Sequence, residues 1–238
     1  SEKPATISLD VEQINDAPVA TASIGALTAN EDAAFSFELP ANLFSDLDAG
    51  DELAVSAQLP AWLSFDPATG VITGVPAYEN VGSHSIAITA TDKASASATV
   101  RFDLTVENVN DRPTFTRIAD VFINEYDSID VDAASSFADE DSSLGDSLTF
   151  SATLSDGSEL PDWLRIDPES GRLSGTPPQG SDTNIEIRVT ATDASQASVS
   201  GVFRIQVSNL NDAPELVAEI DDAAATEDTD FRFDVSRS

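Results

Sequence analysis

The chain repeats itself. "NDAP" at Asn15 to Pro18 returns as "NDRP" at Asn110 to Pro113 and again as "NDAP" at Asn211 to Pro214, so successive marks lie 110 − 15 = 95 and 211 − 110 = 101 residues apart. Between the marks the same features recur in the same order. "ANED" answers to "INEY", "PAWLSFDPATGVITGVP" to "PDWLRIDPESGRLSGTP", "ITATD" to "VTATD", and "FDLTVENVND" to "FRIQVSNLND". A period of about 100 residues is one β-sandwich domain. The marks predict an end of a preceding repeat and linker over 1–16, a first repeat over 17–111, a second over 112–212 and the start of a third over 213–238. The opening "ATISLDVEQINDAP" reads as a strand running into a linker, which suggests a piece of something longer. The third copy offers only a strand or two and is not expected to close a core of its own.

Within each repeat the pattern is all strand. "FSFEL", "ELAVSAQL", "SIAITATD" and "ATVRFDLTV" alternate apolar and polar residues at period two, and no stretch of helical length carries a 3.6-residue stripe. "DPATG" and "DPESG" are turn sequences, in which Pro presets one dihedral, Gly supplies a positive one and Asp66 or Asp167 caps the turn. About seven short strands per hundred residues predict tandem Greek-key seven-stranded β-sandwiches in an end-to-end array.

Charge narrows the function. The chain has 43 Asp plus Glu against 11 Lys plus Arg, a net charge of -32 over 238 residues. That charge would repel a phosphate backbone, which argues against nucleic acid as a partner. With 41% apolar residues and twelve Phe there is enough to build packed cores, so the chain is expected to fold. Cysteine is absent, so a domain outside the cell would need another staple, and bound metal is the usual one. No stretch has the eighteen or more apolar residues of a membrane span, and no signal segment opens the sequence.

The acidic residues are crowded into loops. "FSDLDAGDEL" at Phe44 to Leu53 and "FADEDSSLGDSL" at Phe137 to Leu148 each place two Asp one residue apart and a Gly-Asp further on. Like charges about 4 Å apart repel by roughly 4 kcal/mol at an effective dielectric of 20, a large share of a domain's net stability of about 5 to 15 kcal/mol. Something is expected to neutralise them.

The "NED" near the start, the "DxD" loop, "PxWLxFDPxTGxxxGxP", "ATD" and the closing "ENVNDRP" or "NLNDAP" together resemble the cadherin-like repeats of bacterial surface proteins, close to the dystroglycan-type cadherin-like family. The resemblance covers essentially the whole chain. It implies sandwiches in tandem with Ca²⁺ at the junctions, shared between the end of one domain, the linker and the top loops of the next.

Geometry leads to the same junctions. In such a sandwich the B to C and F to G loops lie at the end nearest the preceding linker. Asp46, Asp48, Asp51 and Asp92 should therefore meet Asn15 and Asp16, and Asp139, Asp141, Asp146 and Asp193 should meet Asn108, Asn110 and Asp111. Oxygen donors without nitrogen or sulfur suit Ca²⁺ better than zinc or magnesium. By similarity to cadherins, Glu31 and Glu79 would reach the same ions from the other side. The middle junction alone has all its parts and should bind most strongly; the last one, with Glu125, Asn211 and Asp212, lacks an acidic loop in the third copy. The cadherin linker's leading Asp is Asn108 here, its closing Asn is Arg112 or Ala17, and Lys93 follows Asp92. These departures lower the expected load to about one or two ions per junction.

An isolated acidic loop is ordinarily just solvated, and "NDxP" alone would do as a turn cap; repetition at matching positions argues against both. Trp62 and Trp163 are expected in core or corner positions, and His84, the single histidine, on a strand facing solvent. No enzyme is expected, because the copies differ by little more than the insertion "SDGSEL", and Asp139 with Asp141 lacks an apolar wall to raise one pKa. The expected role is that of calcium-rigidified extender modules in a secreted or surface-anchored bacterial adhesin, exported by a signal encoded elsewhere, with neighbouring repeats of the same chain as partners. The alternative is a calcium-dependent lectin-like module that binds polysaccharide, or a homophilic one.

Overall fold

The computed structural model describes residues 12, 14–48, 50, 52–181, 183–211, 213, 224–230 and 232. The expected preceding strand in 1–16 and most of the third copy over 213–238 therefore lie outside the described residues. The described chain is all β, with single-turn 3₁₀ segments and no α-helix among the described residues. None of those residues forms a helix long and apolar enough to cross a membrane.

The first repeat has a four-stranded sheet in the order Leu27–Asn30, Ser97–Glu107, Gly82–Thr91, Ala54–Gln58, and a three-stranded sheet in the order Phe35–Glu38, Val71–Gly74, Leu63–Asp66. The second repeats this order with Val121–Asn124, Ser198–Ser208, Thr183–Thr192, Thr149–Leu154 and with Ile129–Asp132, Arg172–Gly175, Leu164–Ile166. Seven strands were expected per repeat, and nine segments are found. The extra ones are short: Val19–Ala20 pairs antiparallel with Phe44–Ser45 before the chain crosses over and Leu27–Asn30 pairs parallel with the strand at Leu104. One edge strand thus serves two partners.

Period-two alternation produces these sandwiches as expected. In Ser97–Glu107 every second residue from Val100 to Val106 is buried, and Gly201, Phe203, Ile205 and Val207 do the same in Ser198–Ser208. Ile72, Ile86, Ile88 and Leu104 have no exposed surface, and each such side chain contributes about 1.5 to 3 kcal/mol on burial. The second core is more aromatic: Phe137 stacks tilted on Phe115 at 5.0 Å and edge-on to Phe150 at 5.8 Å. Gly74 and Gly175, the glycines of "TGVP" and "SGTP", leave no room for a Cβ against the backbone carbonyl of Trp62 or Trp163. That close approach explains why the motif needs glycine after its Trp corner.

His84 corrects an expectation. It is half-buried instead of facing solvent: its ring packs edge-on to Trp62 at 5.9 Å, and Nε2 lies 2.6 Å from the carbonyl of Asn80. It lies on the same side of its strand as the buried Ile86 and Ile88, so the period-two alternation itself turns the ring inward. Asp66 and Asp167 are turn caps, accepting from the N–H groups of Ala68 and Glu169 at 2.9 and 3.0 Å.

The chain divides into two compact units. One runs up to Thr114 and takes in Ala138–Leu148 and Thr192–Ser198; the other holds Phe115–Phe137, Thr149–Ala191 and the chain from Val199. The linker after the first repeat, the second acidic loop and the turn at Asp193 therefore belong to the first unit.

Candidate cation site

The second acidic loop is a 3₁₀ turn over Glu140–Leu144, capped at its start by Asp139, whose carboxylate accepts the Asp141 N–H at 2.9 Å. The turn ends at Gly145 with φ 102, a left-handed conformation that glycine adopts without strain. The chain doubles back, and Asp139, Asp141 and Asp146 bring carboxylate oxygens within 4.8 Å of one another. Asp146 accepts the N–H of Ala194 at 3.0 Å, tying the loop to the turn that carries Asp193.

The linker is bonded into this cluster. The Asp111 N–H donates to Asp141 at 2.7 Å, and the Asn110 side-chain amide donates to Asp193 at 3.1 Å. The first repeat makes the same bonds one period earlier: Asp16 N–H to Asp48 at 2.7 Å, the Asn15 amide to Asp92 at 3.0 Å, and Asp48 N–H to Asp46 at 2.9 Å. "NDxP" is therefore a clip, in which Asn and the following N–H each grip one aspartate. Asp51 lies outside the described residues, so its place in the first loop is not assigned.

Glu31 is 1% exposed, and its Oε1 accepts the N–H of Val109 at 2.8 Å. Glu125, its counterpart, has no exposed surface. Several oxygens have no partner among the described residues although they are buried: Glu31 Oε2, Asp46 Oδ2, Asp139 Oδ2, Asp141 Oδ1 and both oxygens of Glu125. Asp141 itself is 2% exposed. An unpaired buried carboxylate oxygen is costly, and native structures avoid leaving one without a partner or an ion. The donor set is all oxygen and mostly charged, which fits a hard divalent cation such as Ca²⁺.

Electrostatics follow the crowding. Burial pushes the Asp139 carboxyl up, opposed by the Asp141 N–H and reinforced by Asp146, Asp141 and Asp193. Burial also raises Glu140, followed by the charges of Asp111, Asp32, Glu31 and Asp141. Asp92 is held low by the Asn15 amide, against its burial and with help from the N–H groups of Ala96, Ala94 and Ser95.

Not every expected residue joins in. Glu79 and Asn108 are exposed and make no side-chain hydrogen bond among the described residues. Glu79 sits on the 3₁₀ turn Tyr78–Asn80, where it is the neighbouring Tyr78 hydroxyl that bonds to Ser143 of the acidic loop. Asn211 is exposed, and Asp212 lies outside the described residues. Glu140, between the two aspartates, is exposed, and its counterpart in the first loop is Leu47.

This architecture of paired sheets is that of immunoglobulin-like and cadherin-like domains. The He_PIG family model, described as "Putative Ig domain", matches residues 17–107 and 112–208, and the chain belongs to that family. Among solved structures it is similar to a protocadherin gamma B7 EC3–6 cis-dimer structure, with TM-score 0.55, 21% identity, and coverage of 83% of this chain and 49% of that one. Protocadherin gamma B7 extracellular cadherin domains 1–4 match with TM-score 0.53 and 19% identity over 82% of this chain and 52% of that one. Mouse clustered PcdhgC3 EC1–3 matches with TM-score 0.53 and 18% identity over 81% and 68%. The chain spans about half the length of the two gamma B7 structures, and at these identities the likeness is one of fold. A search of curated protein sequences finds no significant match.

Proposed function

We propose that these repeats are spacer modules of a bacterial surface or secreted adhesin, stiffened outside the cell by Ca²⁺ held where one repeat meets the next. The observation that carries the reading is the twice-built clip. The linker holds two aspartates through Asn and a backbone N–H, while Asp141 Oδ1 and Glu31 Oε2 stay buried and unpartnered. On this reading the repeats run over 17–111 and 112–212.

Asp139, Asp141, Asp146, Asp193 and Asp111 would hold the cation from the loop side, and Glu31 from the preceding repeat. Calcium supplies the positive charge that lets these carboxylates stand together. Without it they repel one another, and the linker is restrained only by its hydrogen bonds. Extracellular calcium modules typically bind at roughly 10⁻⁴ to 10⁻³ M, so export into millimolar calcium would switch the stiffness on. At ten times Kd each site would add about 1.4 kcal/mol to the bound arrangement.

Small-angle scattering of the 238-residue chain tests this. The spread of dimensions should narrow in millimolar calcium and widen again in EGTA. An unchanged profile, or an absence of anomalous signal near Asp111 in calcium-soaked crystals, would reject the proposal.

A further inference from the structure

We propose that a cleft on the three-stranded sheet of the second repeat binds a neutral sugar, and that it does so without a cation. The site lies away from the acidic loop and does not draw on the calcium reading. Six polar side chains line one concavity of about 460 Å³: Ser128 just before the strand Ile129–Asp132, Asp162, Trp163 and Arg165 around the start of Leu164–Ile166, and Ser174 and Thr176 at the end of Arg172–Gly175. That volume is in the range of small-ligand sites. Strand register brings the groups together, since Ser174 stands directly between Arg165 on one neighbour and Asp130 on the other. Asp130 is taken by Arg172 at 2.6 Å, which leaves Arg165 free. A second cleft of about 330 Å³ adjoins the first and shares Arg165 and Ser174 with it.

None of the six side chains makes a hydrogen bond or ion pair among the described residues. The other arginines of this repeat are mostly engaged: Arg172 with Asp130, Arg204 with Glu186 at 3.0 Å, and Arg112 and Arg188 with the carbonyls of Ser198 and Ser155. The half-buried Trp163 keeps its indole N–H unsealed, whereas the Nε1 of Trp62 is buried without a partner. The frame itself does not demand this set. At the places of Ser128, Asp162, Arg165, Ser174 and Thr176 the first repeat carries Ala34, Ala61, Ser64, Thr73 and Val75, and there the Ser64 hydroxyl is bonded to that of Thr73 at 3.2 Å. The guanidinium, the indole and the hydroxyls donate, while Asp162 only accepts. Adjacent sugar hydroxyls, each both donor and acceptor, satisfy the two kinds at once. Asp162 offsets the charge of Arg165 within the cleft, and a chain of net charge -32 disfavours an anionic polymer, so a neutral sugar fits better than a uronate.

Calorimetric titration of the 238-residue chain with neutral trisaccharides of glucose, mannose, galactose and xylose, and with trigalacturonate, in EDTA and again in CaCl₂, tests the site. A neutral trisaccharide should bind equally with and without calcium, and more tightly than the uronate. Arg165→Ser and Asp162→Ala each install the first repeat's residue at an exposed position, where that frame folds with it. Each should weaken binding about tenfold, the loss of one hydrogen bond to a charged group. Ser64→Ala, on the matching face of the first repeat, should leave it unchanged. Absence of binding by every neutral sugar, binding untouched by Arg165→Ser and Asp162→Ala, or preference for the uronate overturns the assignment. So does binding that vanishes in EDTA, which would move the ligand to the cation site.

Discussion

In the first repeat Asp46 and Asp48 flank Leu47, which is 82% exposed; in the second, Asp139 and Asp141 flank Glu140 and the chain winds on into a 3₁₀ turn. The bonds made by the flanking aspartates match in both loops, down to the N–H of the linker aspartate at 2.7 Å. Backbone geometry thus fixes the clip, and the residue between the aspartates sets how much charge the clip presents. The cores differ in a parallel way. Val55 lines a cleft of about 390 Å³ in the first sandwich, whereas its counterpart Phe150 is buried against Phe137 in the second. One repeat is the better filled and the more acidic of the two.

The largest expected effect lies in that core. Phe150→Ala should cost the second repeat about 3 to 5 kcal/mol in urea unfolding, since it deletes a packed ring that cannot be replaced by collapse. Val55→Ala, at the mouth of an existing cleft, should cost roughly 1 kcal/mol. Equal losses would mean that the cleft closes in solution and that the two cores are alike.

Next comes the clip. Asp141→Asn should weaken calcium binding about tenfold, or about 1.4 kcal/mol, whereas Asp48→Asn should shift the titration by less than about threefold. Equal loss from both would erase the distinction between the loops and count against the middle junction as the stronger one.

Much of this was legible in the sequence because repetition exposes it. The sheets follow from alternation such as Val100, Phe102, Leu104 and Val106, and the turn caps Asp66 and Asp167 follow from the "DPxxG" pattern. That Asp141 and Asp193 meet the linker at Asn110 and Asp111 follows from loop order in a sandwich, whereas which partner each takes does not. Glu79 is expected only by similarity to cadherins; it sits exposed on a 3₁₀ turn, where the facing of a side chain depends on a rotation of about 120° per residue that spacing does not reveal. His84 shares a strand face with Ile86 and Ile88, so alternation already points it inward, and only its polar side chain argued for solvent.

Filling the cleft should have a smaller and opposite effect. Val55→Phe copies the second repeat into the first and should stabilise it by about 0.5 to 2 kcal/mol, as cavity-filling changes commonly do. A loss of about 1 to 3 kcal/mol, the usual result of overpacking, would show that the cleft walled by Leu39, Phe44 and Phe65 cannot take a ring.

The smallest effect should be the same in both repeats, which makes it the control for all the rest. Asp66 is held below the ordinary carboxylate range first by the Thr69 hydroxyl and then by the Ala68 N–H; Asp167 is held low by the backbone and hydroxyl of Ser170 and the N–H of Glu169. A lowered folded pKa means stability that is present above the unfolded value and is lost as pH falls through the folded one. Asn at either position keeps an acceptor for the turn N–H groups but never titrates. Asp66→Asn and Asp167→Asn should therefore each flatten the fall of Tm between about pH 5 and 2 by a similar small amount. A marked difference between them would mean that the repeats diverge in their turns as well, and the contrast could no longer be assigned to the residue between the loop aspartates and the ring in the core.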